Sequence, residues 1–214
     1  MEFNRANLTD RDRDLLDALT LRVRVLAVKQ IAAEWFGRTA EPVKNARRRT
    51  NELARSGLVE CFTAQVRPPL RLTQPIACWK PGDPPPRLAP LSGRLLKRWT
   101  APVAATGLVV ATRSAGRWMG GDGGRRPRRS EASHDLTVAA VYLNWRRRAP
   151  KEAEWQSEAR LRRLGFGDQT RLPDAMVEID GVRTVIEIGG AYSTEKLAEF
   201  HEFCWREGLP YEIW

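Results

Sequence analysis

A chain of 214 residues is long enough for two small domains. It shows no leader-like opening and no apolar run near the ~20 residues of a membrane span, so a soluble cytoplasmic protein is expected and a membrane protein is not. The net charge of +10 is unevenly laid down, because residues 1–130 carry a balance of +14 and residues 131–214 one of −4. A basic part joined to an acidic part implies two jobs, the basic one facing a polyanion. Cys61, Cys78 and Cys204 form no CxxC pair and no even disulfide framework, which fits a reducing compartment.

In chain order, Thr9 and Asp12 cap a first helix whose Leu15, Leu16 and Leu19 recur at helical spacing. A second helix is predicted from Ala27 to Phe36, with a turn at Gly37-Arg38-Thr39. A third opens at Glu41-Pro42 and stops at Ser56-Gly57. Its apolar positions are Val43, Ala46, Leu53 and Ala54, and its other face carries Lys44, Asn45, Arg47, Arg48, Arg49, Thr50 and Asn51. Leu58–Phe62 and Pro69–Trp79 then read as a two-stranded wing, with Arg67 and Arg71 flanking its tip.

This order resembles the winged helix-turn-helix family over residues 9–80. The resemblance implies a third helix in the DNA major groove, with Arg47, Arg48 and Asn51 at base edges. Lys44 and Arg67 would meet phosphate, and Asn45 and Arg71 complete the DNA-binding set. The alternatives are a solvated basic face or a protein-binding winged helix.

Residues 81–90 read as a stiff Pro-rich linker that excludes helix and central strand. A short basic helix, Leu91–Trp99, and a strand, Gly107–Thr112, follow. The Gly-Gly-Asp-Gly-Gly-Arg-Arg-Pro-Arg-Arg stretch from Gly120 reads as a flexible basic loop, either a backbone clamp or merely solvated. The helix His134–Leu143 is expected to open the second domain.

Glu154–Leu164 reads as a helix ending at Gly165. Leu172 to Gly190 reads as a hairpin about Asp180-Gly181, pairing positions whose numbers sum to about 361. That register sets Asp174 opposite Glu187. Two acids side by side repel unless a cation lies between them, and hard oxygen ligands suit Mg²⁺ or Mn²⁺. Otherwise they are exposed strand ends. Ser193 caps a helix over Thr194–Glu207, which stops at Gly208, and Leu209–Trp214 closes as a strand. His201 and Cys204, three apart on that helix, either share a metal or simply pack.

Helix, strand, strand, helix, strand with an acidic hairpin resembles the PD-(D/E)xK nuclease core. Pro173-Asp174 matches the family's Pro-Asp, Glu187-Ile188-Gly189 stands at its Glu-x-Lys, and Glu158 takes the place of its first-helix acid. The resemblance implies a catalytic set of Glu158, Asp174, Glu187 and Lys196, with metal held by Asp174 and Glu187. Gly189 departs from the family, whose lysine orients water and stabilises transition-state charge. Lys196 is either its substitute or a solvated helix residue.

The His134-Asp135-Leu136 helix start after a winged helix, followed by the Pro-Asp-Ala and Glu-containing strands, looks like the replication-relaxation family. Its members are associated with replication and DNA relaxation of plasmids and other mobile elements. On that likeness His134 lies near the acidic site; otherwise it caps its own helix. The expected fold is α+β, an N-terminal winged helix domain plus a C-terminal α/β PD-(D/E)xK-like domain with a mixed central sheet. The expected division is 1–82 for DNA binding, 83–130 for linker and basic loop, and 131–214 for the nuclease-like domain. The expected function is double-stranded-DNA binding with a degraded nuclease-like site, Mg²⁺ or Mn²⁺ entering only if that site is active. A homodimer, or replication and transfer proteins, are the other partners considered. The alternatives are an active Mg²⁺-dependent endonuclease and a winged-helix transcriptional regulator.

Overall fold

A computed structural model describes residues 8–70, 72–150, 152–168 and 171–214. In chain order the elements are α1 (Asp10–Asp17), a π-helical turn (Ala18–Arg22), β1 (Leu26–Ala27), α2 (Val28–Trp35), α3 (Pro42–Arg55) and β2 (Val59–Val66). β3 (Ala77–Trp79), α4 (Leu88–Leu96), β4 (Ala104–Ala111), α5 (Arg113–Met119) and α6 (Ala132–Arg146) follow. The chain ends with β5 (Glu154–Ser157), α7 (Glu158–Arg163), β6 (Ala175–Ile179), β7 (Val182–Glu187), α8 (Thr194–Arg206) and β8 (Tyr211–Ile213). The fold is α+β with one antiparallel and one mixed sheet. Among the described residues no helix is long and apolar enough to cross a membrane.

Two compact units form, Met1–Pro69 with Val103–Leu143 and Leu70–Pro102 with Asn144–Trp214. They do not divide at 82/83 and 130/131, because residues 70–102 leave the first unit between two of its own paired strands. The charge follows the fold differently as well. The first unit holds 19 Lys+Arg against 12 Asp+Glu, and the second 17 against 14, so both are basic.

In the first unit, Thr9 and Asp12 form a reciprocal capping box on α1, which buries Leu15 and Leu16. Pro42 opens α3 without loss of a helical bond, and Gly57, at φ 70, ends it. The sheet order is β1-β4-β2, and β2 pairs with β4 from Val59↔Ala111 to Val66↔Ala104. The expected partner of β2, Pro69–Trp79, is not the strand used. Pro68, Pro69 and Pro75 each lack a donor for a ladder, whereas Leu108-Val109-Val110 buries a continuous apolar run. Among the described residues of that segment only Ala77–Trp79 form a strand, which pairs with β8 in the other unit. The helix containing His134 likewise belongs to the first unit up to Leu143, with Ala132 and Leu136 in a core shared with Leu108 and Val110.

The Gly-rich loop is packed, not free. A Cβ on Gly121 would overlap the Thr20 carbonyl, and one on Gly123 the Thr112 carbonyl. The glycines permit close backbone approach, which is a second use of that residue besides flexibility.

In the second unit the sheet order is β3-β8-β7-β6-β5, antiparallel throughout except for parallel β7 and β8. Asp180 (φ 52) and Gly181 (φ 76) make the primed turn that the Asp-Gly pair favours. Ala175 pairs with Ile186 and Met176 with Val185, the register expected from the turn. Alternate residues Met176, Val185, Tyr211 and Ile213 join Leu91 and Leu95 of α4, Leu161 of α7, and Leu197, Phe200 and Phe203 of α8 in one core.

Two sequence readings change here. Leu88–Leu96 is helical, since Pro90 falls in the first turn, where its missing N–H has no intrahelical partner to lose. Glu154–Ser157 is a strand, not the start of a helix, because it buries Trp155 and Gln156 against β6. Ser157 then caps α7 by accepting from the Arg160 N–H.

Candidate nucleic-acid interface and acidic site

The exposed face of α3 is a cationic stripe. Lys44, Arg47, Arg48, Asn51 and Arg55 are all exposed and recur at the spacing of one helix face. Ala46, Thr50 and Leu53 are buried on the opposite side. Fourteen residues extend roughly 21 Å, enough for several base pairs. Lys44 pairs with Glu41 at 2.8 Å and Arg48 with Glu52 at 3.4 Å, exposed contacts of small value. Asn45 is half-buried, at the edge of the stripe. Val43, assigned to the apolar face, is in line with the buried row three residues before Ala46, yet it is 40% exposed in the first turn of the helix.

Arg67 follows β2, half-buried, and its backbone N–H donates to Ser133 Oγ at 2.9 Å. Arg71 lies outside the described residues. The strands expected to make a wing therefore do not place Arg67 at a hairpin tip.

In the second unit Asp174 directly precedes β6 and Glu187 ends β7, so the register brings the two to neighbouring strand ends. Asp174 Oδ2 accepts from the Ile188 N–H at 2.7 Å, extending the pairing past the ladder. Glu187 is only 3% exposed. Its Oε1 accepts from the Tyr192 hydroxyl at 2.5 Å and from Arg171 Nη2 at 3.0 Å, while its Oε2 is buried with no hydrogen-bond partner among the described residues.

Burial, and then the nearby Asp174 charge, push the Glu187 carboxyl up to about 7, more than Tyr192 and Arg171 pull it down. Arg171 is affected the other way. Burial lowers it, but the Glu187 charge and hydrogen bond, with Tyr192, outweigh that and raise it. Burial and Glu187 also raise the Tyr192 hydroxyl, which keeps it a donor.

Lys196 is exposed, and its Nζ lies 3.9 Å from the Tyr192 ring centroid. It reaches the tyrosine that bonds Glu187, a cation–π placement. Glu158 accepts from Arg162 Nη2 at 2.7 Å on its own helix. Among the described residues no three His, Cys, Asp or Glu side chains converge as a cation-holding group, so Glu158 does not join the pair. His134 lies beside Asp135 at 3.8 Å in the first unit, while the acidic pair is in the second. His201 Nδ1 is 3.0 Å from the Tyr211 hydroxyl, and Cys204 is buried in the core, so these two pack.

The residues present do not suit a divalent ion of the nuclease kind. One Glu187 oxygen is already engaged by a guanidinium and a phenol, one Asp174 oxygen by a backbone donor, and a fixed positive charge stands 3.0 Å from the carboxylate. Mg²⁺ requires a near-octahedral oxygen set, to which a neighbouring guanidinium is repulsive.

Position 189 is equally occupied. A Cβ on Gly189 would overlap the Leu95 side chain, and the Gly189 carbonyl accepts from Arg98 Nη2 at 2.9 Å and Trp99 Nε1 at 3.3 Å. Arg98 also donates to the Trp214 carbonyl at 2.6 Å, and burial, with Arg94 repulsion, lowers it to about 10.

Arg171 and Tyr192 escaped the sequence reading. Arg171 stands three residues before Asp174, and Tyr192 is an aromatic in a Gly-Gly-Ala-Tyr-Ser loop, the only local signal for either. Nothing in the sequence brings Leu95 or Arg98 to Gly189. No family model matches this chain, nor does any curated protein or solved structure.

Proposed function

We propose that this chain is a double-stranded-DNA-binding protein of a plasmid or other mobile element, acting in replication or DNA relaxation through a nuclease-like unit that does not cut. The observation that carries the DNA-binding reading is the exposed Lys44-Arg47-Arg48-Asn51-Arg55 stripe on a helix whose opposite face is anchored in the core. Such a face offers charge for phosphates and forked donors for base edges. The likeness to winged helix-turn-helix and replication-relaxation proteins supports the same reading. For the second unit, the three-stranded meander followed by α8 and parallel β8 supports a PD-(D/E)xK-like core, and the Arg171 and Leu95 contacts support a site without metal chemistry.

Fluorescence anisotropy of the full chain with a labelled duplex tests the binding. The dissociation constant should rise steeply between 50 and 200 mM salt, at about 0.9 log units per log unit of salt for each phosphate contact. A flat response would remove the reading. The second reading, a Mg²⁺-dependent endonuclease, is favoured by the Asp174 charge close to Glu187 and by Glu187 Oε2, which is buried with no hydrogen-bond partner among the described residues.

A further inference from the structure

We infer that duplex DNA also contacts the first unit at a second basic surface, where the end of α3, the start of α5 and the arginine loop after Gly124 come together. This rests on the DNA-binding reading and names a further part of that interface.

The two ends of the β2–β4 ribbon differ in charge. Its far half, Thr63–Val66 against Ala104–Gly107, contains no cation. Its root is ringed by them. Thr112, which joins β4 to α5, donates through its hydroxyl to the Gly57 carbonyl at 2.7 Å and through its N–H to the Leu58 carbonyl at 3.0 Å. Those contacts hold the start of α5 against the end of α3. Arg55 is exposed on the last turn of α3, and Arg113 and Arg117 are exposed one turn apart on α5.

The loop reaches the same place. Gly124 N–H donates to the Ala111 carbonyl at 2.7 Å, and a Cβ on Gly124 would lie 3.0 Å from Arg113 Cβ. Arg126 pairs with Glu60 at 3.0 Å and lies 4.8 Å from the Phe62 ring centroid. Arg125 pairs with Glu131 at 2.9 Å, and Arg129 is exposed. Glu60 and Glu131 are the acids engaged, against six arginines. Arg55, Arg113, Arg117 and Arg129 make no ion pair among the described residues.

The loop is fixed rather than free, since Gly121 and Gly123 pack against backbone carbonyls. Cations held in place lose less side-chain freedom on binding than cations on a loose tail. A phosphodiester backbone is the partner that suits unpaired arginines beside a helix face already carrying Lys44, Arg47 and Arg48.

The test compares the full-length wild type, an Arg113→Ala/Arg117→Ala/Arg129→Ala variant and an Arg47→Ala/Arg48→Ala variant on labelled duplexes of several sequences, across a salt series. These five side chains are exposed, and circular dichroism melting checks that both variants stay folded. The triple variant should bind every duplex more weakly and lower the salt slope by about 0.9 for each contact removed, close to three in all. The α3 variant should instead change the preference among sequences. An unchanged affinity and slope in the triple variant, while the α3 variant binds more weakly, would overturn the second surface alone. A wild type that binds no duplex would overturn both it and the reading beneath it.

Discussion

Arg49, the last member of the Arg47–Arg49 triplet, turns away from the cationic stripe and grips Asp12 at two points. Nε lies 2.9 Å from Oδ1 and Nη2 2.6 Å from Oδ2, and Asp12 is 1% exposed. The triplet is thus split between two tasks, two arginines outward and one joining α3 to the capping box of α1. Burial raises the Asp12 carboxyl, but the Arg49 and Thr9 hydrogen bonds outweigh it and leave the group lowered. Its stabilisation is therefore present above the unfolded value and is lost as pH falls through the folded one. Arg49→Ala should cost roughly 3–5 kcal/mol, since it strands a buried carboxylate. Arg47→Ala and Arg48→Ala should stay within about 0.5 kcal/mol. Urea unfolding at pH 7 separates them, and equal effects at all three positions would refute the division.

A lysine placed at position 189, where the nuclease family that the sequence resembles carries one, should not create a nuclease site. A side chain at position 189 meets Leu95, whose own side chain is fully buried in the core. Gly189→Lys should therefore destabilise by the 1–3 kcal/mol typical of overpacking, or more. Leu95→Ala alone should cost about 2–5 kcal/mol through its cavity. The double variant should be more stable than the sum of the two losses allows, because the new stem occupies the space released. Thermal melts of the four proteins give the coupling, and strict additivity would mean that Leu95 does not close the position.

The local parts of this architecture were legible. The Thr9 cap, Pro42 and Gly57 bracketing α3, the Asp180-Gly181 turn and its register, and the Ser193 cap on α8 each depend on neighbours within a few residues. What failed were long-range choices. The partner of β2 lies across an insertion of more than thirty residues, and only competition among whole strands selects Ala104–Ala111. The Asp174–Glu187 adjacency followed from the turn, but its neutraliser Arg171 comes from an irregular segment and carries no periodic signal. The Gly189 substitution was visible as a departure, whereas its cause, Leu95 on a helix about ninety residues earlier, was not.

Glu187 should make the second unit pH-sensitive. Its folded-state pKa is raised to about 7, so its stabilising contribution is complete below the unfolded carboxyl value and declines as pH rises through about 7. The loss should be on the order of a few kcal/mol between pH 5 and pH 8. Glu187→Gln retains an acceptor for Arg171 and Tyr192 but cannot ionise. Its stability should be nearly flat over that range, and at pH 8 the gap to the wild type should narrow or reverse. Urea midpoints at several pH values test this, and a flat wild type would show that the carboxylate stays charged throughout.

Cleavage is the sharpest test of the acidic pair. Arg171 already meets the Glu187 charge at 3.0 Å, and a side chain at position 189 would meet Leu95. Loss of one transition-state donor in other enzymes lowers rate by about 10²–10³, so efficient cutting is not expected. Supercoiled plasmid with Mg²⁺ or Mn²⁺ should show no nicking, or a slow trace unchanged by Asp174→Ala, Glu187→Ala or Lys196→Ala. Neither ion should raise the melting temperature of the wild type. Arg171→Gln removes the internal cation and leaves two carboxylates facing each other, so this variant should melt lower and recover part of the loss when millimolar Mg²⁺ or Mn²⁺ is added. Fast nicking by the wild type, abolished at all three positions, would establish the metal-dependent nuclease instead.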